Sequence, residues 1–256
     1  VIIFSMRKPI IAGNWKMHGS KASVAALLEG IVAGLSGTLK AEIMVFPPFV
    51  YLDAVAARLA NTPVLWGAQS VSANEPGAFT GEISATMLTD LNCHAVLVGH
   101  SERRHLFGET DVMVALKLAQ AIHHGLMPIL CVGETSDERK AGLTEQVIAR
   151  QINAVLDLAD GVGVFAKAAI AYEPVWAIGT GVTATPEQAQ QIHAMIRAHL
   201  ASRDAAIAEG LRILYGGSVN ASNAAELLRQ PDVDGALVGG AALDPQQFLG
   251  IYRCII

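Results

Sequence analysis

The chain has 256 residues, 52% of them hydrophobic and only 16% charged, with a formal net charge of −5. The charged share is well under the usual figure of about 25%, which points to an extensive interior and to surface covered by a second subunit. A negative balance argues against a general nucleic-acid or acidic-membrane binder, so any anionic ligand must be met by local groups. No apolar run approaches the ~18 residues needed to span a bilayer.

In chain order, Met6 reads as the natural start, with Val1–Ser5 a non-native or upstream extension and 6–256 a single domain. Short apolar runs then alternate with longer amphipathic stretches. The predicted strands are Ile10–Gly13, Glu42–Phe46, Val64–Gly67, Ala95–Val98, Met127–Val132, Ala168–Tyr172, Arg212–Tyr215 and Gly235–Val238. Between them the spacing predicts helices at Ser20–Leu35, Val50–Leu59, Ser84–Leu91, Asp111–His123, Thr144–Leu156, Pro186–Ala201 and Ala221–Leu228, with a last one at Pro245–Tyr252. Thr185-Pro186-Glu187 supplies a cap, a proline at the first helical position and an acid in the first turn. His124-Gly125 stops a helix ahead of a strand.

Near-continuously apolar strands, each followed by a helix, imply parallel strands sheathed by helices. Eight such units in this length close into a single-domain α/β (β/α)₈ barrel. An open doubly wound sheet is the alternative, but no Gly-x-Gly-x-x-Gly follows the first strand. Chemistry in such a barrel gathers at the C-terminal strand ends, so the residues following each strand carry the functional reading.

After the sixth strand comes Ala171-Tyr172-Glu173-Pro174-Val175-Trp176-Ala177-Ile178-Gly179-Thr180-Gly181. Pro174 pushes Glu173 towards extended geometry and holds a carboxylate at the strand tip. The apolar loop that follows, closed by glycines, suits a lid over a small ligand. After the first strand, alternation is expected to turn Asn14 and Lys16 to one side; alone, Lys16 reads as a solvated lysine. His100 follows the fourth strand, with Ser101 expected to cap a short helical turn whose amides would keep the imidazole neutral. In isolation it is equally a satisfied structural histidine, and Glu102-Arg103-Arg104 reads equally as an ion-pair network. Gly216-Gly217-Ser218 and Gly239-Gly240 follow the seventh and eighth strands, where backbone N–H groups and a short helix start can hold an anion.

Cys93, Cys131 and Cys254 lack metal-type spacing and read as reduced thiols in a cytoplasmic protein, with Cys131 and Cys254 packed in apolar surroundings. His123 and His124 are expected to point to different sides of a helix end as a solvent-facing pair, so no metal is assigned.

Taken together, Gly-Asn-Trp-Lys-Met (13–17), Gly-Ala-Phe-Thr-Gly-Glu (77–82), Val-Gly-His-Ser-Glu-Arg-Arg (98–104), the 171–181 segment, Leu-Tyr-Gly-Gly-Ser-Val (214–219) and Leu-Val-Gly-Gly-Ala (237–241) resemble the triosephosphate isomerase family, in order and register from residue 6 to about 252. The resemblance implies a TIM barrel that interconverts dihydroxyacetone phosphate and glyceraldehyde 3-phosphate without a cofactor, in glycolysis and gluconeogenesis. It implies Glu173 as the base, His100 as a neutral electrophile, Lys16 as the positive group beside it, Asn14 as an orienting residue and Glu102 as a supporting acid. The base with a neutral histidine is this family's known pairing. Gly179, Ser218, Gly239 and Gly240 would hold the substrate phosphate. The long connection Gln69–Glu82 would carry Thr80 into a neighbouring subunit's site, giving a homodimer.

Three positions depart from the family pattern: His18, Val182 and Ala242 stand where asparagine, lysine and serine are usual. Two other readings stand beside this one. A Schiff-base aldolase would need a lysine at a strand C-terminal end, and Lys16 is the candidate. A phosphate-binding scaffold without chemistry would have no use for Glu173.

Overall fold

The computed structural model describes residues 7–179 and 183–255. Eight parallel strands close into a ring in sequence order, β1 (Ile10–Asn14), β2 (Glu42–Phe46), β3 (Val64–Ala68), β4 (Ala95–Val98), β5 (Met127–Val132), β6 (Ala169–Tyr172), β7 (Arg212–Tyr215) and β8 (Gly235–Val238). β8 pairs back onto β1, with Ile10 opposite Gly235 and Gly13 opposite Val238. The eight strands predicted from apolar runs are these, shifted by at most one residue at an end.

Alternation along each strand divides the core in two. Ile10, Ala12, Phe46, Leu97, Ile129 and Leu214 belong to a cluster that fills the barrel's inside. Ile11, Val45, Val96, Leu130 and Ile213 belong to the larger layer shared with the helices. Both faces are buried, so the strands are apolar throughout rather than alternating with polar residues.

The sheath comprises α1 (Lys21–Ala33), α2 (Leu52–Leu59), α3 (Ala85–Asp90), α4 (Ser101–Phe107), α5 (Asp111–His123), α6 (Ser136–Lys140), α7 (Thr144–Leu156), α8 (Pro186–Ala201), α9 (Ala205–Gly210), α10 (Ala224–Leu228) and α11 (Pro245–Tyr252). The Thr185 cap forms as expected: its hydroxyl accepts from Gln188 N–H at 3.2 Å, and Gln188 accepts from Thr185 N–H at 3.1 Å. α10 starts later than predicted because Asn220 Oδ1 accepts from Ser222 N–H and Asn223 N–H and holds the chain in a turn. α6 and α9 are too short to show a helical period in sequence.

The barrel's other end, at the strand N-termini, is locked by ions. Arg197 on α8 donates to Asp232 Oδ1 at 2.5 Å and Asp234 Oδ2 at 2.7 Å, and to the carbonyls of Ala208 and Leu211. Arg7 donates to the other oxygen of Asp234 at 2.7 Å.

Beside this network His193 is wholly buried, its ring edge-on to Tyr172 at 6.0 Å. Its Nδ1–H donates to the Asp232 carbonyl at 3.1 Å, and Nε2 faces no hydrogen-bond partner among the described residues. Burial brings the imidazole's pKa down from 6.5 to about 4, outweighing the backbone carbonyls of Asp232 and Ile213 that favour the charged ring. The native protein therefore binds fewer protons than the unfolded chain between those values. Stability is full above pH 6.5 and declines as the pH falls, by about 3 kcal/mol from this residue when pH 4 is reached. Guanidinium unfolding at pH 7 and pH 4 in wild type and His193→Gln checks this. The expected result is a shallower pH dependence in the variant, and equal slopes would refute it.

Candidate active site

At the strand C-termini lies a cavity of about 440 Å³. Asn14, Lys16, His100 and Glu173 line it together with Gly179, Ser218, Gly239 and Gly240. The predicted site residues from five separate strand ends are thus brought to one place. Glu102 stands just behind, half-exposed, its Oε1 2.5 Å from Lys16 Nζ. Thr80 is exposed and lines a separate groove with Phe79 and Met87, away from this cavity.

Asn14 and Lys16 share the cavity for a reason other than strand alternation. β1 runs one residue further than predicted, through Asn14, and Lys16 has left the strand with φ at +51°. Two bonds hold that uncommon conformation: Asn14 Oδ1 accepts from Lys16 N–H at 2.9 Å, and Gln69 donates to the Lys16 carbonyl at 2.8 Å.

His100, not Ser101, is the N-cap of α4, and its Nδ1 accepts from Glu102 N–H at 3.2 Å. That acceptor role leaves the proton on Nε2, which faces Glu173 Oε1 at 3.0 Å. The other oxygen of Glu173 accepts from Ser101 N–H at 2.9 Å, so a wholly buried carboxylate has both oxygens engaged. Burial alone would raise the Glu173 pKa, but the histidine and the amide outweigh it and hold the carboxyl below its ordinary value. Burial would likewise depress His100, and the facing carboxylate outweighs it in the opposite direction. Each partner therefore favours the other's charged form, within a cavity that also carries an ammonium.

The backbone of Glu173 is placed as tightly as its side chain. Its N–H donates to the Val132 carbonyl at 2.7 Å, and Gly133 lies against it so closely that a Cβ at 133 would overlap the Glu173 carbonyl oxygen. Gly133 is pinned in turn by Gln151, whose Oε1 accepts its N–H at 2.8 Å.

The lid's first turn, Val175–Ala177, is a 3₁₀ turn anchored by buried Glu134. Glu134 Oε1 accepts from Trp176 Nε1 at 2.9 Å and from Tyr172 Oη at 3.2 Å. Neither Gly133 nor Glu134 figures in the sequence reading, although both directly follow the fifth strand, where the same rule about strand ends would have found them. Gln69 directly follows the third strand in the same way, but its role is not legible from that position because it depends on contacts with the Lys16 and Phe46 carbonyls.

Next to Lys16, Gly239 precedes a 3₁₀ turn at Gly240–Leu243. The first N–H groups of a helical turn have no partner within it and are free for an anion. Ala242 belongs to this turn and is buried against β1 at Gly13 rather than lining the cavity, whereas His18 does line it. Thr180, Gly181 and Val182, like residues 1–6, lie outside the described residues.

Cys131 is packed inside the barrel as expected, while Cys254 is half-buried rather than enclosed. Lys167, at the far end of β6, is exposed, which leaves Lys16 as the lysine in the cavity.

Fold and site together define a (β/α)₈ barrel protein whose mouth holds an acid–base cluster and a set of glycines in one cavity. The family model described as triosephosphate isomerase matches residues 9–255. Proteins named triosephosphate isomerase from Nitrosococcus oceani and Dechloromonas aromatica are 56% and 57% identical over 248 residues, which is 97% of this chain and 99% of each relative. One from Coxiella burnetii is 51% identical over 96% of both chains. The chain belongs to the triosephosphate isomerase family.

Proposed function

We propose that the protein interconverts dihydroxyacetone phosphate and D-glyceraldehyde 3-phosphate through an enediolate, as a cytoplasmic enzyme of glycolysis and gluconeogenesis. The observation that carries this is the buried Glu173 carboxylate, ionised and facing His100 Nε2, in one small cavity with Lys16 and the glycines that follow β7 and β8.

Moving a proton between the two carbons next to a carbonyl needs a base, an electrophile and positive charge near the oxygen. Glu173 takes the proton from the carbon α to the carbonyl. Negative charge then develops on the carbonyl oxygen, where the Nε2–H of His100 donates and Lys16 Nζ supplies charge. The hydroxyl proton on the carbon that lost its hydrogen then passes to this oxygen by way of His100 Nε2, and Glu173 delivers its own proton to the former carbonyl carbon, which completes the exchange of aldehyde and ketone. The electrons never leave the substrate, so no redox partner enters the balance.

Substrate entering between Glu173 and His100 separates the pair, which removes the carboxylate that raises the imidazole's proton affinity. The Glu102 amide still donates to Nδ1, and this favours a neutral ring in the working complex. Gly179, Ser218, Gly239 and Gly240 hold the phosphate. Asn14 orients Lys16 through its backbone, and Glu102 holds the Lys16 ammonium from behind.

A coupled assay of glyceraldehyde 3-phosphate conversion tests the reading. Rapid turnover by folded protein, without added metal or cofactor, is expected; no turnover would overturn it. Borohydride with substrate is expected to leave Lys16 unmodified, whereas a covalent adduct there would favour an aldolase.

The working form is a homodimer built on loop 69–82, with Thr80 beside the partner's site. Exposed apolar side chains support this: Phe79 and Met87 lie in the loop's own groove, and Met17 directly follows Lys16. No described helix is long and apolar enough to cross a membrane. Light scattering at micromolar concentration should give twice the 26.9 kDa chain mass, and a monomer mass would refute the dimer.

A further inference from the structure

The 69–82 connection folds back on itself, with Ser72 N–H donating to the Ile83 carbonyl at 2.8 Å. Its outgoing leg lies along α5. Ser70 Oγ accepts from Lys117 Nζ at 3.2 Å, and Glu75 Oε1 accepts from Gln120 Nε2 at 3.1 Å. α5 ends at His123, and His124 is its C-cap before Gly125 turns the chain towards β5. This is the end of the barrel away from the cavity, since β5 begins there.

The two imidazoles do not diverge as the sequence led us to expect. They stand edge to face with centroids 4.9 Å apart, because Glu75 draws the His124 ring over the helix end. His124 Nε2 is 3.1 Å from Glu75 Oε1, and one ligand atom from each of Glu75, His123 and His124 lies within 4.8 Å of the others.

We propose that Glu75, His123 and His124 form a binding site for a divalent cation of the zinc class, with water completing the coordination. Two imidazole nitrogens and one carboxylate oxygen form a donor set suited to zinc, cobalt or nickel, whereas calcium and magnesium prefer all-oxygen sites. Bonds of about 2.0–2.1 Å in a tetrahedral site place neighbouring ligand atoms roughly 3.3 Å apart. The Glu75–His124 pair already stands at that spacing, and exposed His123 closes the remainder by side-chain rotation.

Three other features favour a cation here. The helix C-terminus carries partial negative charge. Gln120 donates to the same Glu75 oxygen that faces His124 and fixes its position at the helix end, as outer partners of metal ligands do. The cluster is open to solvent, so an ion has a path in. Bound metal would tie the outgoing leg of the loop to the end of α5, fixing the segment that leads to Thr80. The site is independent of the catalytic reading.

Calorimetric titration of chelator-stripped protein with zinc chloride is the test. One saturable site per chain with micromolar affinity is expected. His123→Ala, His124→Ala and Glu75→Ala should each weaken it by about tenfold or more. Metal-free melting curves of the variants should match wild type, and His105→Ala, on a different helix, should bind zinc as wild type does. Cobalt(II) in place of zinc should give a spectrum without a thiolate charge-transfer band. Absence of saturable binding, affinity that survives loss of both His123 and His124, or a thiolate band would overturn the proposal.

Discussion

Replacing Glu173 with glutamine is expected to lower kcat by about 10²–10⁴-fold while changing KM little, the range for removing a positioned general base. The substitution nearly preserves shape. The amide oxygen can still accept from Ser101 N–H or from His100 Nε2–H, so the cavity keeps its walls. What is lost is the charge that takes the proton. Because His100 and the Ser101 amide hold the carboxyl below its ordinary 4.5, the base stays ionised further into acid than a free glutamate. The carboxylate itself should therefore not limit the rate above that depressed value, and the acid limb of kcat/KM should instead follow His100, whose pKa the facing carboxylate raises above 6.5 in the free protein. Steady-state kinetics across pH on both proteins measure this. A glutamine variant with unchanged kcat would remove Glu173 from the chemistry. A thermal midpoint matching wild type would show that a fall in rate does not come from unfolding.

Arg197→Ala should produce the largest loss of stability of any substitution considered, about 3–5 kcal/mol, while leaving turnover per folded molecule unchanged. One guanidinium satisfies two carboxylates and three carbonyls at the closed end of the barrel, the third being that of Asp232, which His193 also reaches, and its side chain is only 11% exposed. Without it, Asp234 has Arg7 as its remaining ionic partner and Asp232 has the Gln190 amide. Two orphaned carbonyls add to the cost. Arg197→Lys keeps the charge but not the fork, so it should recover only part of the loss. Guanidinium unfolding at fixed chain concentration reads the effect. A loss below 1 kcal/mol would show that water replaces the network without penalty.

Elements with both a period and a boundary signal were legible in the sequence. Asp111–His123, Thr144–Leu156, Pro186–Ala201 and Pro245–Tyr252 are helices over the residues predicted, because an amphipathic repeat of two turns or more is bounded by turn-favouring residues. α6 and α9, of five and six residues, offer no period to read. In the site, residues directly after apolar strands were legible because the barrel rule assigns them to the mouth. Side chains whose purpose is fulfilled at a distance were not. Gln69 supports the Lys16 backbone across more than fifty residues of chain, and the meeting of Glu75 with His124 depends on where a long loop comes to rest. Ser101 was assigned the cap because serine commonly caps helices, yet an imidazole nitrogen at 100 does so here.

Gly133 has a bearing on how this protein can vary. The base is held in place there by two backbones in contact, so the fit depends on atoms that are absent. A poorly filled apolar core can be mended by a second mutation that resizes a neighbour. Here the neighbour is the peptide of Glu173 itself, which has no smaller version. Every amino acid reachable from a glycine codon brings a Cβ, so position 133 offers heredity no intermediate step and no compensating partner. Lineages of this chain can drift over most of the helical sheath while this one residue stays where it is.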